Sequence, residues 1–187
     1  MNAYSKLDVI LVDQQNNSVG TMDKLEAHQK GILHRAFSVF VFNEKKELLL
    51  QRRAMGKYHS EGLWSNTCCS HPFPGESNLH AAHRRLEEEM GFDCVLEEEF
   101  HFIYHENLDN NLIEHELDAV IIGFSEEVPK LNTSEVSEFK WMKLDEIDTD
   151  MLVNPEKYTI WFKLILQNHL EKIHIKLHHE SLQKRNI

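Results

Sequence analysis

The residues best suited to chemistry lie close together in residues 64–92, whose sequence is WSNTCCSHPFPGESNLHAAHRRLEEEMGF. The first part is a short polar segment, predicted to be a loop, that carries two adjacent cysteines, the second of them Cys69, and then His71. The second part is typical of a helix, with Ser77 as the N-cap and apolar residues at helical spacing up to Gly91. A thiol, an imidazole and a carboxylate-rich helix so close in sequence predict a site of chemistry.

The helix carries two arginines, Arg84 and Arg85, and each lies four residues before a glutamate, Glu88 or Glu89. Residues four apart share one face of a helix. One interpretation is therefore two ordinary ion pairs exposed to solvent. The other interpretation depends on the longer pattern in which these residues stand.

That longer pattern resembles the Nudix box, in which Gly, Glu, Arg-Glu, an apolar residue, Glu-Glu and Gly recur at fixed spacing. The matching residues are Glu76, Arg84, Leu86, Glu88, Glu89 and Gly91. Two positions depart from the box, because Ser70 stands where Gly is expected and Arg85 where the first metal-binding Glu is expected. A guanidinium in place of a carboxylate removes a metal ligand and adds a phosphate contact, so the pattern indicates a reaction other than hydrolysis.

Together with NTCCSHP just upstream, the box is similar to that of type 1 isopentenyl-diphosphate isomerases, a branch of the Nudix superfamily. The resemblance covers residues 8–161. It implies a Nudix-like α/β/α sandwich and an enzyme of isoprenoid biosynthesis. Such an enzyme interconverts isopentenyl diphosphate and dimethylallyl diphosphate by protonating and deprotonating the alkene.

The resemblance also implies roles for four residues in the reaction. Cys69 and Glu116 would act on the alkene from opposite faces, one giving a proton and the other removing one, in a pocket without free nucleophiles. Tyr104 would hydrogen-bond near Glu116, and the π-face of Trp161 would stabilise the carbocation. For Trp161, spacing alone favours packing against the last helix.

A metal centre is implied as well. Glu114 and Glu116 lie two apart in a predicted strand, so they share a face, as they also would in a polar edge strand. The implied ligands, in AHQKGILH, CSHP and IEHE, are His28, His34, His71, Glu114 and Glu116. Imidazoles with carboxylates suit Mn²⁺ or Zn²⁺. Glu89 would be a protein ligand of a Mg²⁺ ion that is held mainly by the diphosphate.

A diphosphate substrate needs positive charge beside it. The residues that match the family's phosphate contacts are Lys24, Arg53, Lys57 and Arg85. Surface lysines and arginines in solvent are the alternative, and Arg52 is expected to face away from its neighbour Arg53. The net charge of −11 disfavours nucleic acid as a partner and repels a free anion, so binding would depend on this local cluster.

The apolar pattern predicts strands over residues 7–12, 34–42, 47–53, 94–105 and 113–124, and a further strand and the start of a helix within residues 135–147. Residues 13–20 are expected to form a turn, residues 24–28 a loop or short helix, and the segment from Pro155 onward a helix. This order predicts an α/β fold with a mixed β-sheet between helices. We expect one domain over residues 1–187, with a C-terminal helix and tail from about residue 155.

Composition indicates the general class of the protein and its expected compartment. A hydrophobic content of 41% and a charged content of 27% are ordinary for a soluble globular protein. The sequence lacks a membrane-length apolar run and the features of a signal peptide, so a membrane partner is not expected. The three cysteines do not form a disulfide framework, which favours the cytoplasm, and Cys68 and Cys94 are expected to be small buried residues. A monomer is expected, with a dimer as the alternative.

Two other classes of protein compete with the isomerase. The first is a Nudix hydrolase of a nucleoside diphosphate derivative, which Arg85 and the Cys69–His71 segment disfavour. The second is a non-enzymatic metal-binding or regulatory module that keeps the box. Such a module would have no reason to retain Cys69, Tyr104 and Glu116 together.

Overall fold

The structure is a computed structural model that describes residues 8–57 and 59–185, with side chains of the final helix described to residue 180. The strands are β1 Asp8–Val12, β2 Ser18–Asp23, β3 His34–Phe42, β4 Glu47–Arg53, β5 Trp64–Ser65, β6 Cys68–Ser70, β7 Leu96–Asn107, β8 Ile113–Phe124 and β9 Val136–Lys143. The α-helices are α1 Lys24–Lys30, α2 Asn78–Met90, α3 Leu144–Val153 and α4 Ile160–Arg185. No helix in this part of the chain has the length and apolar character needed to cross a bilayer. Leu7, the predicted start of the first strand, lies outside the described residues.

The long strand β3 is the centre of the sheet. Along one edge it pairs in parallel with β8 over its whole length, from His34 opposite Glu116 to Phe42 opposite Phe124. Along the other edge it pairs antiparallel with β1 at its start, β6 in its middle and β4 at its end. The predicted mixed sheet is therefore confirmed.

Helices cover both faces of this sheet. On one face, Leu86 and Met90 of α2 pack against Val39 of β3. On the other face, Phe162 of α4 packs against Phe40, and α3 adds further apolar side chains. A strand buried on both faces needs a nearly continuous apolar sequence, as HRAFSVFVF is. The α/β/α sandwich is confirmed.

Two segments predicted without strands contain them. The predicted turn over residues 13–20 is shorter, because β2 begins at Ser18 and pairs antiparallel with β1. Its side chains are mostly exposed at the sheet edge, so its sequence lacks the apolar alternation of a half-buried strand. The predicted loop around the cysteines contains β6, in which Cys69 pairs with Ser38 of β3. The predicted short helix after residue 23 is confirmed as α1, with Asp23 as its N-cap.

Candidate active site

The sheet places three of the candidate catalytic and metal-binding side chains through two strands that flank β3 on opposite edges. The strand β6 carries Cys69, and β8 carries Glu114 and Glu116. These three residues line one cavity that holds about 600 Å³ of space, part of it open to solvent. A concave site lined by a few convergent polar groups is typical of a ligand-binding site.

Most of the residues singled out from the sequence meet in the wall of this cavity. The predicted residues that line it are Lys24, Arg53, Lys57, Cys69, His71, Arg85, Glu89, Glu114, Glu116 and Trp161. Three others are buried beside it: His28, His34 and Tyr104. The fold thus gathers residues from α1, β3, β4, β6, α2, β7, β8 and α4 at one place.

Four of the implied metal ligands converge. Their ligand atoms, from His28, His34, His71 and Glu116, all lie within 4.8 Å of one another. Oε1 of Glu116 is 2.9 Å from Nε2 of His71 and 3.5 Å from Nε2 of His34. Nε2 of His28 is 3.9 Å from the same oxygen. This arrangement brings three imidazoles and a carboxylate to one point.

The hydrogen bonds of the histidines also fit a metal ion. Nδ1 of His28 donates to the carbonyl of Lys24 at 2.7 Å, and Nδ1 of His34 donates to the carbonyl of Ile32 at 2.8 Å. Each bond fixes the proton on Nδ1 and leaves the Nε2 lone pair facing the cluster, as in metal-binding histidines. Burial lowers the pKa of His28, and it lowers the pKa of His71 to about 3, so these rings are neutral. Neutral imidazoles with a carboxylate fit a divalent transition metal.

Glu114 stands slightly apart from these four. Its ligand atom groups with those of His28 and His59, a histidine that the sequence did not single out. The predicted shared face of Glu114 and Glu116 is confirmed, because the Tyr104 hydroxyl lies 2.8 Å from one carboxylate and 2.6 Å from the other. Burial and the charge of Glu116 raise the pKa of Glu114. Burial also disfavours the charge on Glu116, but the close contacts with His34 and His71 outweigh it and hold that pKa well below its ordinary value.

The two adjacent cysteines occupy different environments. Cys69 lines the cavity, and burial raises its pKa to about 12, so the thiol is protonated at neutral pH. Cys68 is fully buried and packs with Leu86 of α2, as expected for a small core residue. A proton donor in the cavity can therefore come from Cys69 alone of this pair.

The cations of the site lie together on the side of the cavity formed by α1, β4 and α2. Arg85 is 3.2 Å from Glu135 and also pairs with Glu89. Lys57 pairs with the same Glu135. Burial lowers the pKa of Lys24, and the charges of Lys57 and Arg85 lower it further, which reflects how close these cations are. A solvent-exposed pair is therefore the wrong interpretation for Arg85 and Glu89.

The adjacent arginines of β4 face opposite ways, as predicted. Arg53 is buried and donates to the carbonyls of Ser60 and His59 at 3.1 and 3.2 Å. Arg52 is exposed and donates to the carbonyl of Gly62. The Arg53 guanidinium lies 5.3 Å from the ring centre of Trp161, close enough for a cation–π contact.

Trp161 lies both in the apolar core and in the cavity wall, the two environments considered for it from the sequence. It packs within the apolar core beneath α4, and its ring also lines the cavity. Its Nε1–H points to Ser65 Oγ at 3.0 Å and Asn66 Oδ1 at 3.2 Å, which fixes the orientation of the ring.

The sequence is similar to those of known proteins. Residues 32–162 match the NUDIX domain family. The isopentenyl-diphosphate Delta-isomerase of Pectobacterium atrosepticum is 54% identical over 157 residues, which cover 84% of this chain and 88% of that protein. An isopentenyl-diphosphate Delta-isomerase 2 of Photorhabdus laumondii is 53% identical over 84% of this chain and 89% of its own length. This chain belongs to the isopentenyl-diphosphate Delta-isomerase family. Membership of this family favours the isomerase over a generic Nudix hydrolase.

Solved structures agree on the fold of this isomerase family member. A Deinococcus radiodurans crystal structure superposes with a TM-score of 0.71 over 87% of this chain and 99% of its own, at 14% identity. A MutT protein from Methanosarcina mazei superposes with a TM-score of 0.54 over 62% of this chain and 80% of its own, at 24% identity. At these identities the likeness concerns the fold alone.

The cavity wall also contains polar residues that the sequence did not single out, among them Gln51, Glu135 and His59. Gln51 donates to Glu89 at 2.9 Å, Glu135 pairs with the cations, and His59 lies beside Glu114. Gln51 lies within the predicted strand over residues 47–53, and Glu135 is the first residue of the predicted segment 135–147, but neither belongs to a distinctive pattern. His59 lies in an irregular segment. Only the folded chain brings these residues to the isomerase cavity.

Proposed function

We propose that this protein interconverts isopentenyl diphosphate and dimethylallyl diphosphate, with Cys69 and Glu116 moving the protons. The observation that carries the proposal is one cavity that joins a thiol and a carboxylate to a cluster of cations. The cations suit a diphosphate, and the thiol and carboxylate suit an alkene that gains a proton at one carbon and loses one at another. The family to which the chain belongs supports the same reaction.

The reaction adds a proton to the terminal methylene of isopentenyl diphosphate and creates a tertiary carbocation. A proton then leaves the methylene next to the oxygen-bearing carbon, and the new double bond forms. Cys69 and Glu116 would stand on opposite faces of the alkene, since β6 and β8 flank β3 on opposite edges. Tyr104 would hold the Glu116 carboxylate in place through its 2.6 Å contact.

The carbocation between the two proton transfers needs protection. Trp161 would supply a π-face, and such contacts are worth about 2 kcal/mol when they are desolvated. The ring is only 3% exposed, so its face can meet the substrate in a largely dry environment. Exclusion of water would also prevent its addition to the cation.

The transition metal would be Mn²⁺ or Zn²⁺, held by His28, His34, His71, Glu114 and Glu116. When bound, the ion would orient the carboxylates and polarise the groups around it. For Glu114 to bind the same ion, its carboxylate would have to turn toward the other four ligands, because the ligand atom of Glu114 groups with those of His28 and His59 in this structure.

At the other end of the cavity, Lys24, Arg53, Lys57 and Arg85 would bind the diphosphate. Glu89 would bind the accompanying Mg²⁺, which uses few protein carboxylates. The pairing of Glu135 with Lys57 and Arg85 keeps these cations together before the substrate arrives. We retain the predictions of one domain, a monomer and the cytoplasm, and the three free cysteines fit a reducing compartment.

The test is a product assay. Protein purified without chelator is incubated with isopentenyl diphosphate and Mg²⁺, and the products are followed by NMR and by a phosphate assay. We expect dimethylallyl diphosphate and no free phosphate, with the activity lost after chelation and restored by Mn²⁺ or Zn²⁺ together with Mg²⁺. Release of phosphate or pyrophosphate in place of the isomer would assign the protein to the hydrolases, and absence of either product from metal-loaded, folded protein would indicate a non-catalytic module.

A further inference from the structure

A fourth imidazole lies beside the candidate metal centre. His59 lies in the segment between β4 and β5, and it is only 6% exposed. Its Nε2 is 3.9 Å from Oε1 of Glu114, and its ring stacks on that of His28 with centroids 6.1 Å apart. The other ring nitrogen, Nδ1, is 3.2 Å from Ser60 Oγ, so Nε2 is the atom that faces Glu114.

The ligand atoms of His59, His28 and Glu114 all lie within 4.8 Å of one another. Protein ligands bind a transition metal at about 2.0–2.2 Å, so two ligands of one ion are separated by about 3–4 Å. The observed 3.9 Å between His59 and Glu114 falls in this range. Small rotations of these side chains would therefore suffice to complete a site.

His28 belongs to both groups of ligands in this cavity. Its Nδ1 donates to a backbone carbonyl, so Nε2 supplies the single lone pair that can bind a metal. Because one lone pair binds one ion, the two groups cannot each hold an ion through His28 at the same time. They are therefore adjoining positions for the same ion. Two imidazoles and a carboxylate form a recurrent ligand set for Zn²⁺, with room left for a further ligand.

We propose that His59 is a metal ligand, which with His28 and Glu114 forms a second position for the transition metal ion beside His34, His71 and Glu116. The proposal rests on the metal centre of the proposed function and adds a residue to it. His59 also lines a surface depression together with Lys57 and Asp109, so this position adjoins the outside of the protein. A metal site needs such an entry path.

The experiment measures metal binding rather than turnover. The metal-free full chain is titrated with Co²⁺, whose visible absorption reports its ligands, and Zn²⁺ affinity is then measured by competition with a chelator. The variants are His59→Ala and His59→Gln, and His101→Ala removes an exposed imidazole of β7 as the matched control. Circular dichroism checks the fold of each protein.

We expect His59→Ala and His59→Gln to lower the affinity for Zn²⁺ at least about tenfold and to change the Co²⁺ spectrum, since even residues that only support ligands commonly have effects of this size. His101→Ala should match the unaltered protein in both measurements. If a folded His59 variant binds both ions with unchanged affinity and spectrum, the proposal is wrong, whatever its isomerase activity. If the unaltered protein binds metal through His59 but does not isomerise the substrate, the proposed function fails and the assignment of His59 stands.

Discussion

Cys68 and Cys69 are neighbours in β6, and alternation along the strand directs their side chains to opposite sides. Cys68 packs in the apolar core against α2, whereas Cys69 lines the cavity with Glu116. The sequence pattern Cys-x-His-Pro already distinguished the two, because only Cys69 lies two residues before His71. The pair therefore offers a matched test of the proposed acid and base.

We expect Cys69→Ala to lower turnover at least about 10²-fold, the contribution typical of a positioned proton donor or acceptor. Cys68→Ala should keep most of the turnover, because its side chain lies outside the cavity wall. It should instead reduce the free energy of unfolding by about 1 kcal/mol, since it removes a small buried group. Steady-state kinetics and urea unfolding measure both effects.

Equal loss of turnover in the two cysteine variants, with both proteins folded, would contradict the assignment of Cys69. The comparison removes the same atom type from adjacent positions of one strand, so a general effect of losing a thiol cannot mimic the predicted difference.

Residue patterns predicted part of this site and could not predict the rest. Alternation placed Glu114 and Glu116 on one face, and the structure agrees. The grouping of Glu114 with His59 could not be predicted, because it depends on how the segment between β4 and β5 folds back over the sheet. The assignment of Arg85 to the cation cluster came from the family resemblance, since spacing alone favoured a solvated ion pair.

At the scale of elements, α2 connects the site to the rest of the fold. Ser77 caps its start by accepting a hydrogen bond from the backbone of His80, as the sequence predicted, and Gly91 ends it with φ of 72°. The loop after β8 runs along this end, where the backbone N–H of Lys130 donates to the carbonyl of Met90. This loop leads to Glu135, so the end of α2 helps to place Glu135 beside the cations.

Gly91→Ala should disturb this junction. A Cβ atom at Gly91 would lie 2.5 Å from the backbone oxygen of Lys130, so the loop would have to move. Gly75 is the matched control, because it also has a positive φ, of +86°, but a Cβ there would meet no atom within 4 Å. We expect Gly75→Ala to cost about 1 kcal/mol of unfolding free energy through backbone strain. Gly91→Ala should cost about 1–3 kcal/mol more, because overpacking adds to the strain.

Urea unfolding monitored by circular dichroism measures both glycine variants. Equal destabilisation would show that the close contact with Lys130 contributes nothing, and that φ alone determines the cost at each position. A raised KM for isopentenyl diphosphate in Gly91→Ala alone would agree with displacement of Glu135.

The elements that the sequence predicted are those with an apolar pattern of their own. The strands β3, β4 and β8 were predicted with the bounds that the structure has. The strands β2, β5 and β6 were missed, because β2 is a polar edge strand and β5 and β6 have only two and three residues. All three exist through backbone pairing with other segments, which local periodicity does not record.

At the scale of the whole molecule, a net charge of −11 surrounds a cavity that gathers four cations. They come from distant parts of the sequence: Lys24 lies on α1, Arg53 on β4, Lys57 just after β4 and Arg85 on α2. The long-range field disfavours an anion, so affinity must come from the short-range contacts of this cluster. The mixed sheet makes the cluster possible, because β3 holds the elements that carry it together.

The central claim is that Cys69 and Glu116 exchange protons with an alkene inside this cavity while the diphosphate stays intact. The most direct measurement incubates the metal-loaded protein with isopentenyl diphosphate and Mg²⁺ in deuterated water and locates the label by NMR. We predict deuterium in the new methyl group of dimethylallyl diphosphate, no phosphate release, and no label with Cys69→Ala or Glu116→Gln. Label at the unaltered rate in either folded variant, or release of phosphate without label, would contradict the account.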